Sequence, residues 1–537
     1  MALDLRQPVL GDGPAPALPI GLSPDRLLAL ARRATLDPEG AAGDTIDVAA
    51  PFTGEVVARI AAATPADVAY AFERARAAQP AWAARPFAER ARILARYHDL
   101  VLERRDELLD LIQLEAGKAR LHAFEEVMDV ALVARYYAYH GERAVDRERR
   151  SGLLPVLTRV EVNHAPLGVV GIIAPWNYPL SMAITDALPA LLAGNAVVVK
   201  PSELTPLTAL AAADLLDEAG LPPDLLHFVP GDGPTLGPTL IDHADFLHFT
   251  GSTPVGRIVA QQAAERLIGC SLELGGKNPM LVLDDADLDK AVEGAVRACF
   301  SSAGQLCIAA ERLYVQRPVF EAFAERFAAR AAELRVEGSY AWDVEMGSLV
   351  SQDQLDKVSG HVEDAVAKGA TVLAGGRPLP EAGPLFYAPT VLDGVTPEME
   401  LYRDETFGPV VSLYAFDTDA EAVRLANDTA YGLNASVWTE NAARGHAIAR
   451  QIHAGTVNVN EAYAAAWASV DAPMGGMGQS GLGRRHGPEG ILKYTEAQTV
   501  AAQRVVPAAP LPGMAVEVFA RTALTGLRLL RRLPGLR

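Results

Sequence analysis

Three cysteines among 537 residues, Cys270, Cys299 and Cys307, are too few and too odd in number for a disulfide framework. That scarcity points to a reducing compartment. Positive charge is also short. Forty-eight Lys plus Arg face 67 Asp plus Glu, for a formal charge of −19, so phosphate backbones are repelled and nucleic acid is not an expected partner. Long apolar runs are missing as well: stretches such as Ala187–Val199 fall short of the roughly 18 residues a spanning helix needs. Residues 1–20 lack a basic segment followed by an apolar one, so the sequence predicts no secretory leader and a soluble, cytoplasmic protein. There is no internal repeat and no metal-ligand spacing, and no metal is expected.

What is present is apolar material: 50% of residues are hydrophobic and 21% charged, enough for large cores in about two to four domains. Residues 1–45 are rich in Ala, Pro and Gly and predict an extension with one short helix near Ser23–Arg33. From Thr64 a helical pattern sets Val68, Phe72, Ala75 and Trp82 near one face, and a longer stretch continues it through Ile93–Ile112. After Thr158 short apolar runs alternate with helical segments. Gly168–Ala174, Ala196–Val199, Leu226–Val229 and Phe246–Phe249 are candidate strands; Ser181–Ala193, Thr205–Ala219 and Thr235–Ile241 are the helices between them. This order predicts an α/β protein with a parallel sheet wound by crossover helices. A second α/β region follows, with strands near Pro279–Leu283, Leu313–Val315 and Val410–Ala415.

Several stretches could carry chemistry. In Phe249-Thr-Gly-Ser-Thr-Pro-Val-Gly256 a strand runs into a helix start, where free amides and the dipole favour phosphate. An ordinary strand-to-helix turn explains it equally well. Gly231-Asp-Gly-Pro-Thr-Leu-Gly237 is a weaker glycine-rich turn. Lys200 ends a buried strand with Glu203 three residues on, suited to a ribose or to a plain surface ion pair. Cys307 follows an amphipathic helix that carries Leu288, Val292, Cys299 and Ala303 on one stripe. Cys299 therefore belongs to the core, whereas Cys307 lies in a small-residue loop where a thiol can face a cleft. Alternation puts Glu273 opposite Cys270 and Leu272 on a short strand, where burial would raise its pKa toward that of a general base. Asn177, between Pro175 and Pro179, could offer its amide to a developing oxyanion or serve in a turn.

Taken in order, PWNYP, KPSELTP, FTGSTPVG, LELGGKNP, GQLC followed by Arg312, and ETFGPV resemble the aldehyde dehydrogenase superfamily over about Val48–Ala502. Stretches such as RACFSSAGQLC and APMGGMGQSGLGRRHGPEG are similar to the actinobacterial-type succinate-semialdehyde dehydrogenases. The resemblance implies an aldehyde dehydrogenase-like fold. A Rossmann-like NAD(P)-binding domain would span 46–154 and 164–279, and an α/β catalytic domain 280–488. A small oligomerisation element would comprise 155–163 and 489–505, giving a homodimer or homotetramer. It implies Cys307 as nucleophile, Asn177 and the Cys307 amide as oxyanion donors, and Glu273 as the base that activates water on a thioester. Trp176, Gly251, Ser252, Gly256 and Leu274 would face the cofactor, Gly233 and Gly237 its adenosine half, and Lys200 and Glu203 a ribose. Glu405 and Phe407 would position the nicotinamide half, and Tyr178, Tyr463 and Trp467 would wall the aldehyde tunnel.

Glu203 carries a negative charge where NADP has an extra phosphate, so NAD is favoured over NADP. One departure bears on substrate: relatives that oxidise semialdehydes grip the acid with two arginines, and Thr185 and Ser301 occupy those places here. Another small aliphatic aldehyde is therefore the alternative to succinate semialdehyde; a CoA-acylating relative and a non-catalytic scaffold are weaker ones, since Cys307, Glu273 and Asn177 are all present. Residues 506–537 form a basic tail in which Val516, Phe519, Ala523, Leu527 and Leu530 recur at helical spacing beside Arg521, Arg528 and Arg532. Packing on the protein's own acidic surface or on a neighbouring subunit is expected of this tail ahead of membrane contact.

Overall fold

A computed structural model of the chain describes residues 9–10, 18–19, 21–34, 44–153, 158–504 and 507–532. Much of the expected N-terminal extension and part of the 155–163 segment lie outside these. The short N-terminal helix is present as Pro24–Arg32, with the Ser23 hydroxyl accepting from the Arg26 amide.

The first large sheet has six strands, in the order Gly481–Leu482, Gly269–Glu273, Phe246–Thr250, Val169–Ile173, Ala196–Lys200 and Leu226–Phe228. All neighbours are parallel except Gly481–Leu482, which returns from late in the chain to pair antiparallel with Gly269–Glu273. Continuous Val and Ala runs such as Ala196–Lys200 suit strands buried on both faces, and every residue of that strand is buried. The helix Pro65–Ala83 that packs on this sheet opens with a reciprocal cap: the Thr64 hydroxyl accepts from the Asp67 amide while the Asp67 carboxylate accepts from the Thr64 amide.

The second large sheet has seven strands, in the order Thr371–Ala374, Thr390–Asp393, Val410–Phe416, Ala310–Gln316, Asn278–Val282, Asn434–Trp438 and Thr456–Val459. Only Thr371–Ala374 runs antiparallel to its neighbour. Each of the two sheets has its own large apolar cluster.

A separate ribbon pairs Thr158–Pro166 with Thr495–Gln503 along its whole length, and Glu148–Arg150 adds a third strand. Thr495–Gln503 is an edge strand exposed along nearly all of its length. The C-terminal tail forms the helix Val516–Leu530, and none of its residues is buried. Packing against the protein's own acidic surface is therefore not seen: among the described residues no ion pair involves Arg521, Arg528, Arg531 or Arg532. No helix among the described residues is long and apolar enough to cross a membrane.

Three helical expectations need correction. The segment expected as one helix over Ser181–Ala193 is two, Pro179–Ile184 and Ala187–Leu192, broken at Thr185–Asp186. Pro189 has no N–H to give to the Thr185 carbonyl four residues earlier, and its ring crowds that carbonyl. The stretch through Ile93–Ile112 divides at Arg104 into Phe87–Glu103 and Arg105–Ala116. The helix before Cys307 spans Leu288–Phe300 and stops short of Ala303, because Ser302 and Ala303 take left-handed backbone angles, φ 52° and 55°. The sequence reading also passed over the 26-residue helix Arg120–Val145, whose apolar spacing is diluted by buried polar residues including His122, Glu126 and Asp129.

Candidate active site

A cavity lies between the two large sheets. On one side it is lined by Trp176, Asn177, Tyr178, Gly251, Ser252, Glu273 and Leu274, and on the other by Cys307, Glu405, Phe407, Tyr463 and Trp467. The sequence placed all of these at the site. Lys200, Glu203, Gly233, Gly237 and Gly256 do not line this cavity; they sit at the ends of, or just beyond, neighbouring parallel strands of the six-stranded sheet.

Cys307 is held at the end of a tight loop. Ser302, Ala303 and Gly304 are successively left-handed, and the Gly304 backbone approaches Gly408 so closely that a side chain there would strike the Gly408 carbonyl at 2.0 Å. Gln305 clamps the loop: its amide donates to the carbonyls of Ser302 and Ser348, and its oxygen accepts from the Val350 amide. The Cys307 carbonyl accepts from Asn278 Nδ2 at 2.8 Å. Asn177, buried, donates through Nδ2 to the Gln305 carbonyl at 3.0 Å. That bond fixes the amide beside the nucleophile loop and leaves its second N–H for the cavity.

The electrostatics around Cys307 are those of a resting thiol. Burial pushes its pKa up to about 12, helped by the charges of Glu273 and Glu405 and opposed by Arg485. Burial also pushes Glu273 up to about 7, against the pull of Arg485 and Lys493, and its Oε1 is buried without a hydrogen-bond partner. A carboxylate poised near neutrality and short of a partner is suited to taking a proton.

The cofactor end is built from backbone and glycine. Ser252 starts the helix Thr253–Glu265, yet its hydroxyl makes no capping bond, so it and the first-turn amides are left for an anionic ligand. A side chain on Gly256 would meet Leu274 at 2.4 Å. The helix Gly233–His243 begins beside Lys200, whose Nζ is 3.8 Å from where a Gly233 side chain would start. Open amides, a buried lysine and an unblocked glycine surface fit a nicotinamide dinucleotide. Glu203 accepts from Lys200 at 2.9 Å, so its charge is partly neutralised.

A bracket of buried charge holds the ETFGP loop. Glu311, on the strand that follows the nucleophile, accepts from the amides of Thr406 and Phe407 and pairs with Lys277. Lys277 also donates to the Asp404 carbonyl at 2.7 Å. Glu405 accepts from the Gly276 amide at 2.8 Å, and Phe407 meets Trp176 edge-on at 5.5 Å.

The aldehyde end is made of side chains. Tyr463 donates to Glu125 at 2.9 Å and accepts from Ser301; Tyr178 is 3.0 Å from the Ser302 hydroxyl. Lys118 lies 3.2 Å over the Tyr178 ring, and its partner Glu126 accepts from the Leu180 and Ser181 amides that follow Tyr178. Glu125, Asp129 and Arg485 also line this end, and the sequence reading assigned no role to any of them. Arg485 lies in the GRRHG stretch, where nothing local marks it as reaching the cavity.

The aldehyde dehydrogenase family pattern matches residues 39–500. The chain belongs to the aldehyde dehydrogenase family. A protein of Mycolicibacterium smegmatis named "Putative succinate-semialdehyde dehydrogenase (NADP+)" is 54% identical over 484 residues, covering 90% of this chain and 94% of its own. The crystal structure of succinate-semialdehyde dehydrogenase from Burkholderia pseudomallei superposes with a TM-score of 0.82 at 37% identity, covering 86% of this chain and 96% of that one. The NAD+ complex of an aldehyde dehydrogenase from Bacillus cereus superposes with a TM-score of 0.80 at 36% identity, over 86% and 93%. With family and fold in agreement, the chain is an aldehyde dehydrogenase of two α/β layers that meet at this cavity.

Proposed function

We propose that this aldehyde dehydrogenase oxidises succinate semialdehyde to succinate through a covalent intermediate on Cys307. The observation that carries the chemistry is the convergence of Cys307, Asn177 and Glu273 on one cavity; the substrate rests on the names of the relatives. Glu273 takes the Cys307 proton, the thiolate adds to the aldehyde carbon, and the oxyanion accepts from Asn177 Nδ2 and the Cys307 amide. A nicotinamide dinucleotide, when bound, supplies the hydride acceptor. Once the thioester has formed and Glu273 has released its proton, the same carboxylate activates water for hydrolysis. The acid leaves and the thiol is restored.

The cleft takes NAD and, because Lys200 offsets Glu203, also NADP. That modifies the NAD preference read from Glu203 alone and agrees with the cofactor in the mycobacterial relative's name. The exposed ribbon edge at Thr495–Gln503 supports assembly into a homodimer or homotetramer. The test is reduced-cofactor formation from succinate semialdehyde and from butanal, with NAD or NADP, with and without CoA. Acid formation without CoA and a preference for the anionic aldehyde are expected; no such preference would overturn the substrate.

A further inference from the structure

We propose that Arg485 grips the carboxylate of the semialdehyde, replacing from a different part of the chain the cation absent at Thr185. The inference rests on the substrate reading above. Arg485 reaches the site from beyond the strand Gly481–Leu482, where its backbone exchanges hydrogen bonds with Met474 in both directions. Its guanidinium is brought to Thr185, the position left without a charge: Nη2 donates to the Thr185 hydroxyl and forms an ion pair with Asp186 at 2.7 Å.

The other half of the guanidinium is unspent. Among the described residues Nη1 has one hydrogen-bond partner, the Met182 sulfur at 3.2 Å, and a thioether is a weak acceptor. Arg485 is 7% exposed, and it lines the same cavity as Met182 and Cys307. A buried cation with one edge against sulfur is a ready donor for a carboxylate, and the planar fork suits it geometrically.

Asp186 does not depend on Arg485 alone. Asp186 is shared by Arg485 and by Lys493 at 2.8 Å, and it also accepts from the Tyr494 hydroxyl. Arg485 is therefore not the sole counter-ion of Asp186. Asp129 and Glu273 also face Arg485, but among the described residues neither is hydrogen-bonded or ion-paired to it, so Nη1 is committed to neither. His248, 3.1 Å from Asp186, is held neutral by burial. At the Ser301 position the neighbours are Tyr463 and Glu125, and the nearby cations Lys118 and Arg297 are already paired with Glu126 and Glu461, which leaves Arg485 as the anchor.

The experiment compares wild type, Arg485→Gln and Arg485→Lys on succinate semialdehyde and on butanal, a neutral aldehyde of equal length. It also measures inhibition of butanal oxidation by succinate. In Arg485→Gln the preference for the anionic aldehyde should fall by about 10- to 100-fold, mainly through KM, the range of a lost charge-assisted bond. Succinate inhibition should weaken in parallel. Arg485→Lys, which keeps a partner for Asp186, should recover part of both. Equal losses on the two aldehydes with unchanged succinate inhibition would show that Arg485 serves only Asp186 and Glu273, and would overturn the proposal. If Arg485→Gln unfolds, the Lys variant decides on the same two readouts. Wild type that shows neither a preference for the anion nor inhibition by succinate would defeat the substrate reading itself, a result distinct from wild-type inhibition that survives at full strength in both variants.

Discussion

At the cofactor end of the cavity much of the wall is main chain, at Gly251, Ser252 and Gly275, with the helix Thr253–Glu265 starting just behind it. At the aldehyde end it is side chains from distant segments: Glu125 and Asp129 from the helix Arg120–Val145, Tyr178 after the strand Val169–Ile173, Tyr463 and Trp467 late in the chain, and Arg485 later still. A main-chain wall recognises what every dinucleotide shares, and a side-chain wall can be retuned one residue at a time. Substrate choice therefore belongs to the second wall, while the nucleophile, its oxyanion donor and its base sit where the two meet.

The sharpest way to break this division is at the junction. Cys307→Ser should reduce oxidation of every aldehyde to background with either cofactor, read as steady-state turnover; a loss confined to one aldehyde would place the residue on the side-chain wall. Glu273→Gln should lower steady-state turnover by about 10²–10⁴. Because Glu273 serves both the Cys307 proton and the hydrolytic water, cofactor reduction in a single turnover should slow as well. Asn177→Ala should cost about 10²–10³ in kcat for anionic and neutral aldehydes alike. In wild type, kcat should fall as pH drops through about 7, because Glu273 must be unprotonated to act as base; a flat profile over pH 6–8 would remove that role. The smallest effect is expected at the far end of the main-chain wall. Glu203→Ser should raise NADP use relative to NAD by about tenfold or less, since Lys200 already offsets that charge. An aldehyde-dependent change there would blur the two ends.

The same contrast explains what could be read in advance. The parallel sheet was legible because Val169–Ile173 and Ala196–Lys200 are apolar runs doubly buried. The helix start after Gly251 was legible because Ser252 and Pro254 signal it locally. Cys307, Glu273 and Asn177 had plausible structural roles when taken singly and gained meaning from their order along the chain. Arg485 and Glu125 carried no such local mark: their placement depends on the return strand Gly481–Leu482 and on a helix whose buried polar residues hide its periodicity. The break at Thr185–Asp186 followed from Pro189 but was masked by an otherwise helical composition.

The bracket formed by Glu311, Lys277 and the Thr406 and Phe407 amides has a consequence for anyone recombining this enzyme with a relative. Exchanging the 404–409 loop, the 275–278 turn or the strand Ala310–Gln316 alone risks stranding one ion of a buried pair, at a cost of about 3–5 kcal/mol. The three segments behave as one transplantable module, and chimeras whose crossovers keep them together should fold where those that split them fail.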